Sequence, residues 1–387
     1  MSLGRTECRF QPRATTLLFL IVVMAAGPFM ACNWNPFGGG RIRIGVVLPF
    51  NDPGQGMGAS QVRKALELAS PAAGREYKLL YRDDKNEPTR TAEIVRELVE
   101  REGVSAIIGG MTSPCALAGA ERAEALGVPF VTPMATNDGI TRGKDWAFQA
   151  CFSDTRQGER MARFVWGNLK IERVIVLRDV TNDYSLGLAD SFTETYLRLG
   201  GVVVTTKTYR RGHDDGGTIM KWLEEHPADA IYLPLYRVDT IDIISKSITL
   251  WREKDPVFLG GDGWHSIQMR DFLSKSPVLP SRIYITAHFA HDEPIEPVQE
   301  LVDIWRKQND GEVPTSASAL GWDLGHLLNR ALDADARTPR EVRDALAHEF
   351  ARFDGATGSF RIDPETSLPT KDAKILRWDG EQWVLGE

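Results

Sequence analysis

Several features that would declare a function are missing from this sequence. Its 387 residues include four cysteines, none spaced C-x-x-C, so neither a disulfide scaffold nor a zinc or thioredoxin-like site is encoded. Basic residues are in deficit: 46 Lys and Arg face 53 Asp and Glu, and the net charge of −7 argues against a nucleic-acid partner. No apolar run reaches the roughly 20 residues that a bilayer-spanning helix needs. There is no G-x-S-x-G, no H-E-x-x-H and no G-x-G-x-x-G after the first apolar strand, and 139–144 is too short between its glycines for a phosphate-binding loop. The seven histidines, His213, His226, His265, His288, His291, His326 and His348, are scattered. Only His288 and His291 are close, and without an acidic cluster beside them they are expected at the surface, not on a metal. No enzyme activity, metal or cofactor is therefore expected. What is present, 42% hydrophobic and 26% charged residues, is ordinary globular composition for two or three compact units.

The amino terminus departs from that pattern. Arg5, Arg9 and Arg13 precede an apolar stretch over 17–31, interrupted at Pro28, which reads as a secretory signal. Phe29-Met30-Ala31-Cys32 resembles the bacterial lipoprotein box, with Cys32 as the lipidated new terminus; Phe29 stands where Leu is usual. The alternative is an ordinary signal peptide cleaved nearby, with Cys32 incidental. Residues 33–40, ending in three glycines, read as a flexible tether.

From Arg41 two periodicities alternate. Strands are predicted at 42–48, 78–81, 106–108 and 128–131, with helices at 59–69, 89–102 and 114–126 between them. After a junction near Cys151 the pattern restarts: strands at 173–177, 202–206, 230–233 and 257–259, helices at 186–199, 218–225 and 238–251. Such β-α order implies parallel sheets covered on both faces, in two units. The rest is less regular, with a strand at 283–286, helices at 298–308, 317–332 and 339–348, and a β tail over 358–362 and 373–384 turning at Asp379-Gly380.

Open α/β sheets bind ligands at the carboxyl ends of their strands. There the first unit places Met111, Thr112 and Ser113, then Met134 and Thr136. Ser113, before Pro114, is the expected N-cap of a helix whose free N–H groups suit a carboxylate; alternatively it caps its own helix and nothing more. The second unit places Tyr184, Tyr236 and Asp262 at strand ends. Donors on one wall and an acid with hydroxyls on the other suit a zwitterion. Asp83-Asp84 is read as a solvated strand end.

The segments IRIGVVLPFNDPGQGMG, YRDDKNEPTRTAEIVRELVEREGVSAIIGGMTSPCALAGAERAEALGVPFVTPMATND, VIVLRDVTNDYSLGLADSF, AIYLPLY, FLGGDGW and FDGATGSFRID, in this order, resemble the periplasmic solute-binding proteins of the leucine/isoleucine/valine-binding type. That resemblance implies an α/β fold of two Rossmann-like lobes with parallel sheets, joined by three hinge crossings. Lobe 1 is expected over 41–150 and 284–355, and lobe 2 over 151–283 and 356–387, after a signal at 1–31 and a tether at 32–40. It implies that Ser113, Thr136 and the backbone at Met134 hold a ligand carboxylate, that Tyr236 and Asp262 hold its α-amino group, and that Tyr184 lines the pocket. Met57, Met111 and Thr112 would flank the ligand side chain. The family acid is often Glu, and Met57 replaces an aromatic residue common in branched-chain binders. The implied protein is a monomeric, lipid-anchored extracytoplasmic receptor that passes an amino-acid-like solute to an ABC permease of the inner membrane. The alternative is a surface lipoprotein that senses its ligand and signals without transport. Cys115 and Cys151 are open between a disulfide and free buried thiols.

Overall fold

Strand β1 (Ile42–Leu48) is buried at every position except Arg43, as a run of Ile, Val and Leu must be when both faces of a parallel sheet are covered. In the computed structural model, which describes residues 41–69, 77–247, 256–276, 282–333, 336–351, 353–363 and 368–386, β1 sits inside a five-stranded sheet. The order is β2-β1-β3-β4-β5, all parallel, with β2 Tyr77–Asp83, β3 Ala106–Gly109, β4 Phe130–Thr132 and β5 Ala147–Gln149. On one face Ile94, Val95 and Leu98 of α2 (Pro88–Glu100) and the alanines of α3 (Ser113–Leu126) pack on Val47 and Ile107. On the other, α1 (Gly56–Ala69), α10 (Ser316–Asp333) and α11 (Pro339–Phe350) pack on Ile42, Ile44 and Val46. Helix α9 (Glu296–Gln308) completes this lobe against α1 and α10.

The second sheet has seven strands in the order β14-β13-β10-β9-β8-β6-β7. Its parallel members are β6 (Arg173–Asp179), β7 (Val202–Tyr209), β8 (Ala230–Leu233), β9 (Val257–Gly260) and β10 (Ile283–Ala287). The antiparallel pair β13 (Lys374–Trp378) and β14 (Trp383–Leu385) closes one edge. Helices α4 (Asp154–Gly167), α5 (Asp183–Arg198), α6 (Gly216–Glu225), α7 (Arg237–Ser247) and α8 (Ile267–Ser274) belong to this lobe. A short hairpin, β11 (Asp354–Gly355) with β12 (Gly358–Ser359), lies between α11 and β13.

The chain crosses between lobes three times, after β5, after β10 and before β13. The second and third crossings fall later than the sequence boundaries. Ile283–Ala287 is hydrogen-bonded on both sides within the second sheet, and Phe353, Ala356 and Phe360 are buried in the cores of the first lobe. The crossings are locked together by a buried cluster. Lys371 of the third crossing donates to the Ala150 carbonyl of the first at 3.2 Å and to the Thr357 hydroxyl, and its ammonium lies 3.8 Å from the Phe360 ring centre. Asp323 of α10 accepts the N–H groups of Ala356 and Thr357, each at 2.8 Å, and the Thr357 hydroxyl. Burial pushes the Lys371 ammonium down to about 7, with Asp323 opposing, and pushes the Asp323 carboxyl up.

Other expectations are corrected. Asp84 is no solvated strand end: it is fully buried, accepts the Thr91 hydroxyl and the Asn86 N–H, and shapes a loop in which Lys85 and Asn86 adopt φ of 54° and 61°. Strand β5 and helices α4 and α8 were not anticipated, because polar openings such as Asp154-Thr155-Arg156-Gln157 mask the apolar stripe of Met161, Phe164 and Val165 behind them. Cys115 and Cys151 are free and buried. The proposed signal, the tether with Cys32, and the end of the helix expected over 238–251 lie outside the described residues.

Candidate ligand-binding cleft

The first wall is made by the loops that follow β3 and β4. Gly110 turns the chain from β3 into α3 at φ 72°, and a Cβ there would collide with the backbone of Ala116. The Thr132 hydroxyl donates to the Gly110 carbonyl at 2.8 Å and receives the Ala135 N–H, so the two loops are tied together. Thr112, not Ser113, is the N-cap of α3, and its hydroxyl donates to Asn86 at 2.6 Å. Ser113 is the first helical residue; its buried hydroxyl has no partner, and its N–H points at the Tyr236 hydroxyl of the other lobe, 3.4 Å away. Thr136 is also buried, but its hydroxyl donates to Asp154 at 2.7 Å.

The second wall is an ionisable cluster centred on Asp262, which is 5% exposed. One carboxylate oxygen accepts the Tyr184 hydroxyl at 3.1 Å, and the other lies 3.2 Å from Nε2 of His288. Tyr184 and Tyr236 stack with ring centres 4.9 Å apart. Gly261 lies so close to Tyr184 that a Cβ would overlap the hydroxyl, which explains the Gly-Gly-Asp turn. Gln157 of α4 receives the Thr286 hydroxyl at 2.8 Å and the Asp262 N–H at 3.4 Å, while its amide donates to Asp154 at 3.0 Å. His288, expected at the surface, is fully buried and stacked on Phe152 at 3.6 Å.

Burial dominates the electrostatics. It raises the Tyr184 and Tyr236 hydroxyls, so both stay protonated donors. It holds Asp154 well above the usual carboxylate range, with Asp262 adding to the effect and the bond from Thr136 opposing it. His265, whose Nδ1 lies 2.8 Å from Ser316 of the opposite lobe, is pushed down to about 3 by burial and by His291 and His288. His288 is lowered by burial against the pull of Asp262. It is therefore neutral, with Nε2 donating to Asp262.

Between the walls lies a cleft of about 590 Å³, measured out to its open mouth. Of the residues singled out from sequence, Met111, Ser113, Met134, Thr136, Tyr184, Tyr236 and Asp262 line it. Met57 and Thr112 do not. Met57 is 44% exposed, and Thr112 is committed to Asn86. Arg237, His265 and three glutamines, Gln55, Gln61 and Gln268, also line the cleft and were not singled out from sequence. Nδ1 of His288 reaches no partner among the described residues, and no group of three or more His, Cys, Asp and Glu there is placed to bind a metal.

A profile of the periplasmic binding protein family matches residues 41–382. The chain belongs to this family. Periplasmic binding proteins are non-enzymatic solute receptors that work outside the cytoplasm, and among the described residues no helix is long and apolar enough to cross a membrane. The Leu/Ile/Val-binding protein BraC3 of Rhizobium johnstonii is 28% identical over 91% of this chain and 95% of its own. A Leu/Ile/Val-binding protein homolog of Brucella melitensis is 30% identical over 51% of this chain, a match spanning about half, 55%, of that relative. The leucine-binding protein LivK of Thermotoga maritima superposes with a TM-score of 0.80 at 27% identity, covering 89% of this chain and 98% of that one. LivJ of Streptococcus pneumoniae, solved with isoleucine, gives 0.79 at 27% identity, covering 88% and 97%. The two-lobed type I periplasmic-binding fold is thus the fold of this chain.

Proposed function

We propose that this periplasmic binding protein is the lipid-anchored receptor of an ABC importer and closes its two lobes, hinge-wise, on a small α-amino acid. The observation that carries the reading is the pairing of opposite walls. Asp262 is held by Tyr184 and His288 on one lobe, and the unpartnered Ser113 hydroxyl faces it from the other. Each Asp262 oxygen keeps acceptor capacity for an ammonium, and Ser113 has a proton for a carboxylate. Burial favours the protonated form of Asp154, and in that form its carboxyl can donate to the Thr136 oxygen and free the Thr136 hydroxyl for the same carboxylate. A ligand bridging both lobes makes its full set of contacts only when they are closed, and that differential affinity shifts the hinge equilibrium. Relatives that carry leucine, isoleucine and valine in their names support the amino-acid head group. The anchor at Cys32 and delivery to an inner-membrane permease belong to the same reading.

Titration calorimetry with a panel of L-amino acids tests it. Asp262→Asn keeps the shape and removes the charge, and is expected to weaken binding by about 2–5 kcal/mol with an unchanged circular dichroism spectrum. Unchanged affinity in that variant refutes the ammonium site.

A further inference from the structure

The cleft carries more polar side chains than the head-group contacts use. Beside the apolar Met111, Met134, Ala135 and Ala317 it is lined by Gln55, Gln61, Gln268, His265 and Arg237. The Gln61 carbonyl already accepts the Thr315 hydroxyl at 2.9 Å, which leaves its amide N–H groups for the cleft.

Arg237 is the unusual member. It is 6% exposed, lines the cleft, and makes no hydrogen bond or ion pair with any described residue. The one carboxylate that helps to keep it charged is Asp52 of the opposite lobe, acting through space, while burial works the other way. Its position makes matters worse: it is the first residue of α7, where the helix dipole favours an anion over a cation. The guanidinium thus opens onto the cleft with no protein partner, at the end of a helix that favours an anion. Its five N–H donors form a fork that matches a carboxylate or phosphate.

We propose that Arg237 receives an anionic group on the ligand's side chain, so that the preferred solute is an acidic α-amino acid and not an aliphatic one. This rests on the amino-acid reading of the head group and adds its second charge. The ligand's ammonium meets Asp262, its α-carboxylate meets Ser113, and its side-chain anion meets Arg237. Each charge of the solute then faces a protein group of complementary character.

Calorimetry on the purified chain with L-glutamate, L-aspartate, L-glutamine, L-leucine and glutarate tests the inference. Glutamate or aspartate is expected to bind at least about 100-fold more tightly than glutamine or leucine. Arg237→Gln is expected to weaken the acidic ligand by about 30-fold or more while changing glutamine by less than about threefold. Arg237→Lys, which keeps the charge but not the fork, should fall between. If glutamine or leucine binds as tightly as glutamate and Arg237→Gln leaves the ratio unchanged, the inference fails. Arg237 is then a closing partner for Asp52, and the head-group reading stands so long as Asp262→Asn still weakens binding. If glutarate matches glutamate, depends on Arg237 and ignores Asp262→Asn, the anion site survives and the amino-acid reading fails. If none of the five binds, both are overturned.

Discussion

The molecule buries two polar clusters, one at the lobe crossings and one at the cleft, and they are finished to different degrees. At the crossings, Asp323 receives three donors, Thr357 both gives and accepts, and Lys371 is shared among a carbonyl, a hydroxyl and an aromatic face. In and behind the cleft, the Ser113 hydroxyl, one oxygen of Asp154 and Nδ1 of His288 have no partner, and Arg237 lines the cleft without a hydrogen bond or ion pair to a described residue. Buried polar groups are normally paired, and an incomplete network lowers stability. On the amino-acid reading the difference separates structure from function: the crossings are complete in the protein alone, and a solute would complete the cleft.

That contrast breaks first at Asp323. Asp323→Ala strands Lys371 and two backbone N–H groups in the interior, and urea unfolding is expected to show a loss of about 3–5 kcal/mol. A loss below about 1 kcal/mol would mean that the crossing cluster is not what holds the lobes together. Lys371 gives the next largest effect, visible in pH dependence. Its folded value is depressed from 10.5 to about 7. The stability attached to it is full above the unfolded value and is lost as pH falls, the loss being complete below about 7. Between those limits wild type should gain on Lys371→Met with rising pH, by at most about 1.4 kcal/mol per unit in urea midpoints. A flat difference would refute the burial of an ammonium there. The smallest effect belongs to the cleft. Asp154 is raised above its ordinary 3.8, so its contribution is full below that pH and fades as pH rises through the folded value. Because burial favours the protonated, uncharged carboxyl, Asp154→Asn should cost little, staying within about 1 kcal/mol of wild type. A loss near that of Asp323→Ala would erase the distinction between the clusters.

The sheets and most helices were legible because buried parallel strands and amphipathic helices write their periods directly into residues such as Ile42–Leu48 and Ile94, Val95 and Leu98. Ser113, Tyr184, Tyr236 and Asp262 were legible because ligands gather at strand ends and because the surrounding segments carry a family pattern. What was hidden depends on contacts between distant segments. His288 follows a strand in a crossing with no periodicity, and only the approach of Asp262 and Phe152 makes it a core residue. Gln157 and Asp154 sit in a polar helix opening that reads as solvated. Arg237 follows a residue that was recognised, yet a charge in a first helical turn ordinarily faces water. Met57 lies outside the cleft because adjacent helix positions face different ways: Gly58 lines it and Met57 is exposed.

The stack of His288 on Phe152 joins two crossings at 3.6 Å, and His288 in turn grips Asp262. Any rotation of the lobes about the crossings leaves a group fastened there almost stationary. Arg237 has Val238 as its neighbour, exposed at the rim beside Gly54 of the other lobe, where a rotation sweeps its widest arc. Both charges, Asp262 and Arg237, stand on the second lobe, so a rotation of the lobes leaves their separation unchanged and carries them together past Ser113 and Gly54 of the first. On the amino-acid reading, Asp262 and Arg237 form one preset frame, and the first lobe is what a closing rotation would add to the solute.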